Sequence, residues 1–324
     1  MRMLFRLREN RVWRTYLGGA RIDRFCAAQT GKIRFENSYF PEDWTASTIP
    51  AMNAGREGII EGIGHVSDGR AVSELVPGGL PILVKLLDAA ERLAIQVHPT
   101  REFAQSEMNS PVGKTESWYI LDADADACVY IGFKPDVTRE SWIDVFNSQD
   151  IPRMLGMLHR LNVKNGDSIF VPGGMPHAIG GGCLMVELQE PSDLIVVPER
   201  ITPSGRPVAE QRIHGGLGYE RMFDVFEYKS MTEEELRHAV VMKPEQLSDG
   251  CMCMMSRELT GIFSMMVLTD GCIRQDVTEP AVAIITESGS FGGEAVNKGE
   301  RLLLLPGGGD ITVSGGASVV LCES

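Results

Sequence analysis

VKNGDSIFVPGGMPHAIG, residues 163–180, is the stretch on which the fold turns. SIFV, residues 168–171, reads as a short strand of β-branched and aromatic residues. Pro172, Gly173, Gly174 and Pro176 then build a turn that leaves the strand at a sharp, fixed angle. His177 follows at once, so its position relative to the strand is set by a rigid turn. Two other polar clusters sit in equally apolar surroundings. LAIQVHP, residues 93–99, is apolar except at Gln96 and His98. These are two residues apart, so on a strand both side chains share a face. Lys114-Thr115-Glu116 leads into ESWYIL, another strand candidate. One amide, two imidazoles and one carboxylate suit a divalent metal. Gln96, His98, Glu116 and His177 are the expected ligands of one ion.

The chain has 324 residues, enough for one large β domain or two modest ones. Thirty-five Gly and 17 Pro suit many short strands joined by tight turns. A net charge of −13 argues against nucleic acid or an anionic membrane as partner. Any phosphorylated substrate must then be held by local basic groups. The seven Cys form no CxxC pair, which reads as reduced, buried thiols. The N-terminal MRMLFRLRENRVW lacks the apolar core of a signal peptide, and no apolar run approaches a membrane span. The expectation is a cytoplasmic protein.

Strand candidates crowd residues 82–132: ILVKLLD, LAIQVHP, ESWYIL and ACVYIGF. The polar PTREFAQSEMNSPVG between them reads as a loop or short helix. TRESWIDVFN, opening at Thr138, has an N-cap residue and helical spacing of Trp142, Val145 and Phe146. SQDIPRMLGMLHRL reads as a second helix, with Met154, Leu155 and Leu158 on one face and His159 at the surface. Both lie between Glu116 and His177, as a helical insertion near residues 138–160. Strand character returns over 182–200, a loop is expected over 201–218, and MFDVFEY reads as a strand. Thr232 and Glu235 form a capping box. KPEQLSDG marks the expected boundary between a catalytic domain, residues 1–240, and a second β domain, residues 241–324. That last part contains NKGERLLLLPGGGDITVSGG, which repeats the pattern of residues 163–182 with Ile311 in the place of His177. A second unit without a metal is therefore expected.

Gly166 to His177 reads G-x5-P-x-G-x2-H, which resembles the second motif of the cupin superfamily. QVHP, GKTESWYIL, VPGGMPHAIG and VELQEPSD follow one another in an order that resembles the class I mannose-6-phosphate isomerases in their short bacterial form. VWRTYLGG, FPEDWTAS and GGLPILVKLLDA add to it, so the resemblance covers most of residues 10–225. It implies a mainly β fold of two cupin, or jelly-roll, units. It implies an aldose–ketose isomerase that interconverts mannose 6-phosphate and fructose 6-phosphate through an enediolate, with one Zn²⁺ per chain. A zinc bound by neutral imidazoles, an amide and one carboxylate keeps most of its charge for the substrate oxygens. The resemblance makes Lys114 a catalytic and substrate-binding residue and Asp193 a catalytic one. It also calls for an arginine where this chain has Val197. Arg200 is the nearest basic residue and is expected to take the catalytic role through a bend at Pro198. Arg206, as a substrate-binding residue, and Arg212 are candidates for the phosphate. Two alternatives stay open: a sugar-binding paralogue with weak activity or another sugar substrate, and a cupin dioxygenase.

Overall fold

The computed structural model describes residues 3–324. The fold is mainly β and antiparallel. Its first half pairs a six-stranded sheet with a three-stranded one. The larger runs in the order Arg11–Val12, Glu42–Thr45, Leu83–Ala89, Cys183–Gln189, Glu116–Ala123, Ser168–Val171; the smaller is Leu158–Asn162, Cys128–Phe133, His177–Ile179. Leu87, Trp118, Ile120 and Met185 of one meet Val129, Ile131, Leu161 and Ile179 of the other in a shared core.

The strand period of two creates the site. Along Leu83–Ala89, Val84 and Leu86 face a second core while Leu87 and Ala89 face the first. Both faces are covered, which is why ILVKLLD reads as a nearly unbroken apolar run. Lys85 shares the face of Leu87, so a buried ammonium is carried into the first unit. Its neighbour in register is Glu187 on Cys183–Gln189, and Gln189 stands opposite Glu116. One end of the interior is therefore apolar and the other polar.

The second half pairs a seven-stranded sheet with a four-stranded one. Arg301–Leu304 and Ile311–Ser314 flank the second Pro-Gly-Gly turn, as Ser168–Val171 and His177–Ile179 flank the first. Ile311 is 3% exposed, packed in an apolar core with Phe291, Val313 and Leu304. The seven-stranded sheet packs against the back of the six-stranded one, Val282, Ile284 and Val320 meeting Val84, Leu86 and Val186. The outer strand Leu4–Arg6 of this sheet comes from the opposite end of the chain and pairs with Arg301–Leu304.

Several local expectations hold. Arg139–Ser148 is helical with Thr138 and Ser141 forming the capping box, and Glu233–Val240 is capped by Thr232 and Glu235. Arg101–Glu107 is the short helix of the polar segment. All seven cysteines are free, six of them buried. No helix among the described residues is long and apolar enough to cross a membrane.

Others need correcting. The second inserted helix stops at Gly156, and Leu158–Asn162 is a strand. The 3.6-residue spacing of Met154 and Leu158 was shared by two elements that bury both in one aromatic cluster. His159 is buried, not at the surface, and its Nε2 donates to the Met231 carbonyl at 2.8 Å. MFDVFEY forms no strand; Met222–Val225 is a 3₁₀ turn, because Met222, Phe223, Val225 and Phe226 all bury against the inserted helices. Inside the expected loop 201–218, Glu210–His214 is a short helix. Gln96 and Val97 make single bridges, to His177 and Val196, where a continuous strand was expected.

Candidate metal centre and cavity

Three segments converge at the polar end of the first unit. Gln96 and His177 exchange backbone hydrogen bonds of 2.8 and 2.9 Å. That bridge brings the His98 and His177 rings to 5.0 Å between centroids. Glu116 begins its strand between them. His98 Nε2 lies 3.1 Å from Glu116 Oε1, and His177 Nε2 lies 3.7 Å from Oε2. The ligand atoms of His98, Glu116 and His177 all fall within 4.8 Å of one another, and all three residues are buried.

The backbone around His98 is clamped. Gly174 N donates to the His98 carbonyl at 2.7 Å. A Cβ on Gly173 would lie 2.7 Å from Thr100 Cα, and one on Gly113 would lie 2.6 Å from Arg101 N. Only glycine permits these close approaches. The ring tautomers are fixed as well. His98 Nδ1 donates to the Leu194 carbonyl at 2.8 Å and His177 Nδ1 donates to the Met175 carbonyl at 3.0 Å. Each ring is left with an Nε2 lone pair aimed at Glu116, the arrangement by which metal-binding histidines are oriented. Burial, and then Lys114, push His98 down to about 3; burial likewise lowers His177, so both rings are neutral. His177 Nε2 and Glu116 Oε2 are buried without a hydrogen-bond partner. Two orphaned acceptors facing one gap are costly in a protein interior and fit a divalent cation.

Lys114 precedes the strand, yet its Nζ reaches Glu116 Oε1 at 2.9 Å and His98 Nε2 at 3.0 Å. Burial works against the charge of Glu116, but Lys114 and His98 hold its carboxyl well below the usual range.

Glu116 and Lys114 line a cavity of about 200 Å³, together with Gln96, Asp193, Val197, Arg206 and Arg212. Asp193 accepts from both Nη atoms of Arg14, at 3.2 and 3.3 Å, and from Met52 N at 2.8 Å. Burial opposes its charge, while Arg14 and then Arg212 hold it far below an ordinary aspartate. Arg200 is not brought to the cavity. Its guanidinium lies over the Phe146 ring at 4.9 Å and its N–H donates to Gln149 Oε1 at 2.8 Å. The Pro198 carbonyl accepts from Gln149 Nε2 at 3.0 Å, so Gln149 holds the backbone on both sides of Glu199.

Sequence reasoning missed Arg14, Glu42, Lys85 and Glu187, all of which line the same cavity. Lys85 Nζ donates to Glu187 Oε1 and Gln189 Oε1, both at 2.6 Å. Glu42 accepts from Arg14 Nε at 3.0 Å, Tyr16 Oη at 2.7 Å and Trp44 Nε1 at 2.6 Å. A signal existed: a single charge inside LVKLL or LMVELQ belongs to a strand buried on both faces, where a charge needs partners.

Residues 21–125 match the family model for the phosphomannose isomerase type I catalytic domain. Mannose-6-phosphate isomerase ManA of Bacillus subtilis is 36% identical over 169 residues, 52% of this chain and 50% of that protein. The probable mannose-6-phosphate isomerase GmuF of the same organism is 42% identical over 113 residues, 35% of each. The matched stretch thus spans half or less of these relatives. Among solved structures, the Bacillus subtilis mannose 6-phosphate isomerase superposes with a TM-score of 0.75 at 21% identity, over 99% of this chain and 100% of that one. A putative mannosephosphate isomerase from Archaeoglobus fulgidus gives 0.71 at 20% identity, over 99% and 97%. These two likenesses concern the fold.

Proposed function

We propose that this protein is a zinc-dependent mannose-6-phosphate isomerase, with one Zn²⁺ per chain held by Gln96, His98, Glu116 and His177. The reading is carried by one observation: the orphaned His177 Nε2 and Glu116 Oε2 lie 3.7 Å apart, and Glu116 lines a cavity that lysines, arginines and a second carboxylate, Glu187, also line. A bound zinc would supply a Lewis acid beside the C1 and C2 oxygens of the open-chain sugar. The protein's own groups do the rest. Lys114 presents an ammonium that can donate to a sugar oxygen as negative charge builds there. Asp193, held by Arg14, orients the wall around Met52 and Arg212. Arg206 contributes on the substrate side.

The isomerisation moves a proton between C1 and C2 through an enediolate. Glu187 lines the cavity, and burial, then the charge of Glu116, raise its pKa. Such a carboxylate takes up a proton more readily than an ordinary one, as a group that accepts and returns a proton must. Burial opposes the charge of Lys85, but Glu187 and Glu42 keep it protonated, so Lys85 holds Glu187 in place.

We assign the catalytic cupin unit to residues 1–240 and the second, metal-free unit to residues 241–324, and we place the protein in the cytoplasm. A coupled assay on mannose 6-phosphate, with and without chelator, tests the function. Turnover abolished by chelator and restored by zinc is expected. Stoichiometric iron with oxygen uptake would replace the reading by a dioxygenase, and metal binding with feeble turnover by a sugar-binding paralogue.

A further inference from the structure

Residues 52–60, MNAGREGII, lie between the strand Glu42–Thr45 and the helix Val72–Leu75, and they carry no helix or strand of their own. Asn53 and Ala54 form part of the cavity wall. The two ends of this loop are fixed. Ala51 N donates to the Glu61 carbonyl at 2.9 Å, which closes the loop at its neck. The Gly62 carbonyl accepts from Asn10 Nδ2 at 2.9 Å, and a Cβ on Gly62 would lie 2.9 Å from Trp44 Cε3. Beyond the neck the chain lacks packing. No side chain of residues 52–60 belongs to an apolar core among the described residues. Met52, Ile59 and Ile60 are exposed, and a Cβ on Gly55 or Gly58 would meet nothing within 4 Å.

Three hydrogen bonds tie the loop to the body among the described residues, and all three lead into the cavity. Met52 N donates to Asp193 Oδ2 at 2.8 Å, Arg212 Nη1 donates to the Met52 carbonyl at 2.7 Å, and Arg14 Nη1 donates to Asn53 Oδ1 at 3.0 Å. Asp193, Arg212 and Arg14 all line the cavity, as does Trp13, whose ring centroid lies 5.2 Å from the Arg56 guanidinium. Inside the loop, Glu61 accepts from Asn53 Nδ2 at 3.0 Å and Arg56 Nη2 at 2.7 Å, which makes the segment one piece. A segment with few buried apolar contacts opens at a fraction of the free energy of global unfolding. A ligand that touches Asn53 or Ala54 meets them only while the loop is down, so it favours the closed form by that difference.

We propose that residues 52–60 are a hinged lid, which lifts at its neck to admit substrate and is held down by an occupied cavity. Asn53, through Arg14, ties the lid to the site. The probe used to test it rests on the sugar-phosphate reading above, whereas the lid rests on the bonds just described. The probe is a hexitol 6-phosphate, which carries no carbonyl and cannot be turned over. Trypsin cleavage after Arg56, followed by mass spectrometry on the metal-loaded protein, reads the opening. The Arg56 carbonyl is held in a turn by Ile59 N at 2.8 Å, so the bond is cut only when the loop lets go. Cleavage after Arg70, exposed and outside the cavity lining, is the control.

The probe at about 100 times its Kd should slow cleavage after Arg56 by on the order of 10–100-fold and leave Arg70 unchanged. Glu61→Ala and Asn53→Ala should each speed cleavage after Arg56 by on the order of 10-fold without the probe. Glu61 does not line the cavity, so its variant should raise KM for mannose 6-phosphate through the lid alone, with metal content unchanged. A bound probe that slows neither site, or slows both equally, overturns the lid, as does cleavage that neither variant speeds. If calorimetry detects no binding of the probe, the sugar-phosphate reading falls and the two variants decide the lid. Protection at Arg56 without turnover of mannose 6-phosphate keeps the lid and removes the isomerase reading.

Discussion

Replacing Glu42 by Gln isolates the worth of one buried charge. The side chain accepts from Arg14, Tyr16 and Trp44, with Lys85 Nζ at 3.9 Å. Burial raises its pKa, but Arg14 and Lys85 outweigh burial and bring it down from 4.5 to about 2. A folded pKa below the unfolded one stabilises above the unfolded value, and the gain is lost as pH falls through the folded one. The difference of about 2.5 units corresponds to about 3 kcal/mol at pH 7. Glu42→Gln should lose that amount, with a further contribution from an amide N–H that faces other donors. Urea unfolding of both proteins across a pH series measures it. The gap between them should hold from pH 7 to about 5, then shrink to about half near pH 3. A gap of constant size down to pH 3 would show that shape, not charge, is what Glu42 supplies, and would refute the reasoning.

Lys114→Met should lower kcat on mannose 6-phosphate by on the order of 10²–10³ while zinc content by atomic emission stays at one per chain; loss of zinc as well would make Lys114 a structural support of the cluster. Gly173→Ala forces a Cβ to 2.7 Å from Thr100 Cα, so the segment after His98 must shift. Metal affinity, measured by competition with a chelator, should fall on the order of 10–100-fold, and unchanged affinity would mean that the clamp is slack. Ile311→Ala should cost about 2–5 kcal/mol in urea unfolding with no change in metal content.

The elements that sequence made legible are those with local causes. Thr138 and Thr232 cap their helices through bonds to the next turn, so three or four residues suffice to read them. The His98–Glu116–His177 cluster was legible because a two-residue spacing and a proline–glycine turn fix where side chains point. What escaped depends on distant partners. Lys85 and Glu187 are 102 positions apart, and nothing near either says that they meet. Met222–Val225 has a strand's composition, but the aromatic cluster around Trp142 selects a turn. Arg200 lost to Arg212 for a similar reason. Nearness to Val197 in sequence favoured the first, while the short helix Glu210–His214 carries the second to the cavity wall.

The pairing of Leu4–Arg6 with Arg301–Leu304 has a consequence for how the chain is made. On a ribosome adding about 5–20 residues per second, the first strand waits for on the order of 15–60 seconds before its partner has been synthesised. Throughout that interval its ladder with Arg301–Leu304 cannot form. This edge of the seven-stranded sheet can close only once residues 301–304 have emerged, by a contact between segments far apart in sequence. Such closure is slow, and a strand left waiting is open to pairing with another chain. Yield at high expression should therefore depend on residues 4–6, far from any chemistry the protein performs.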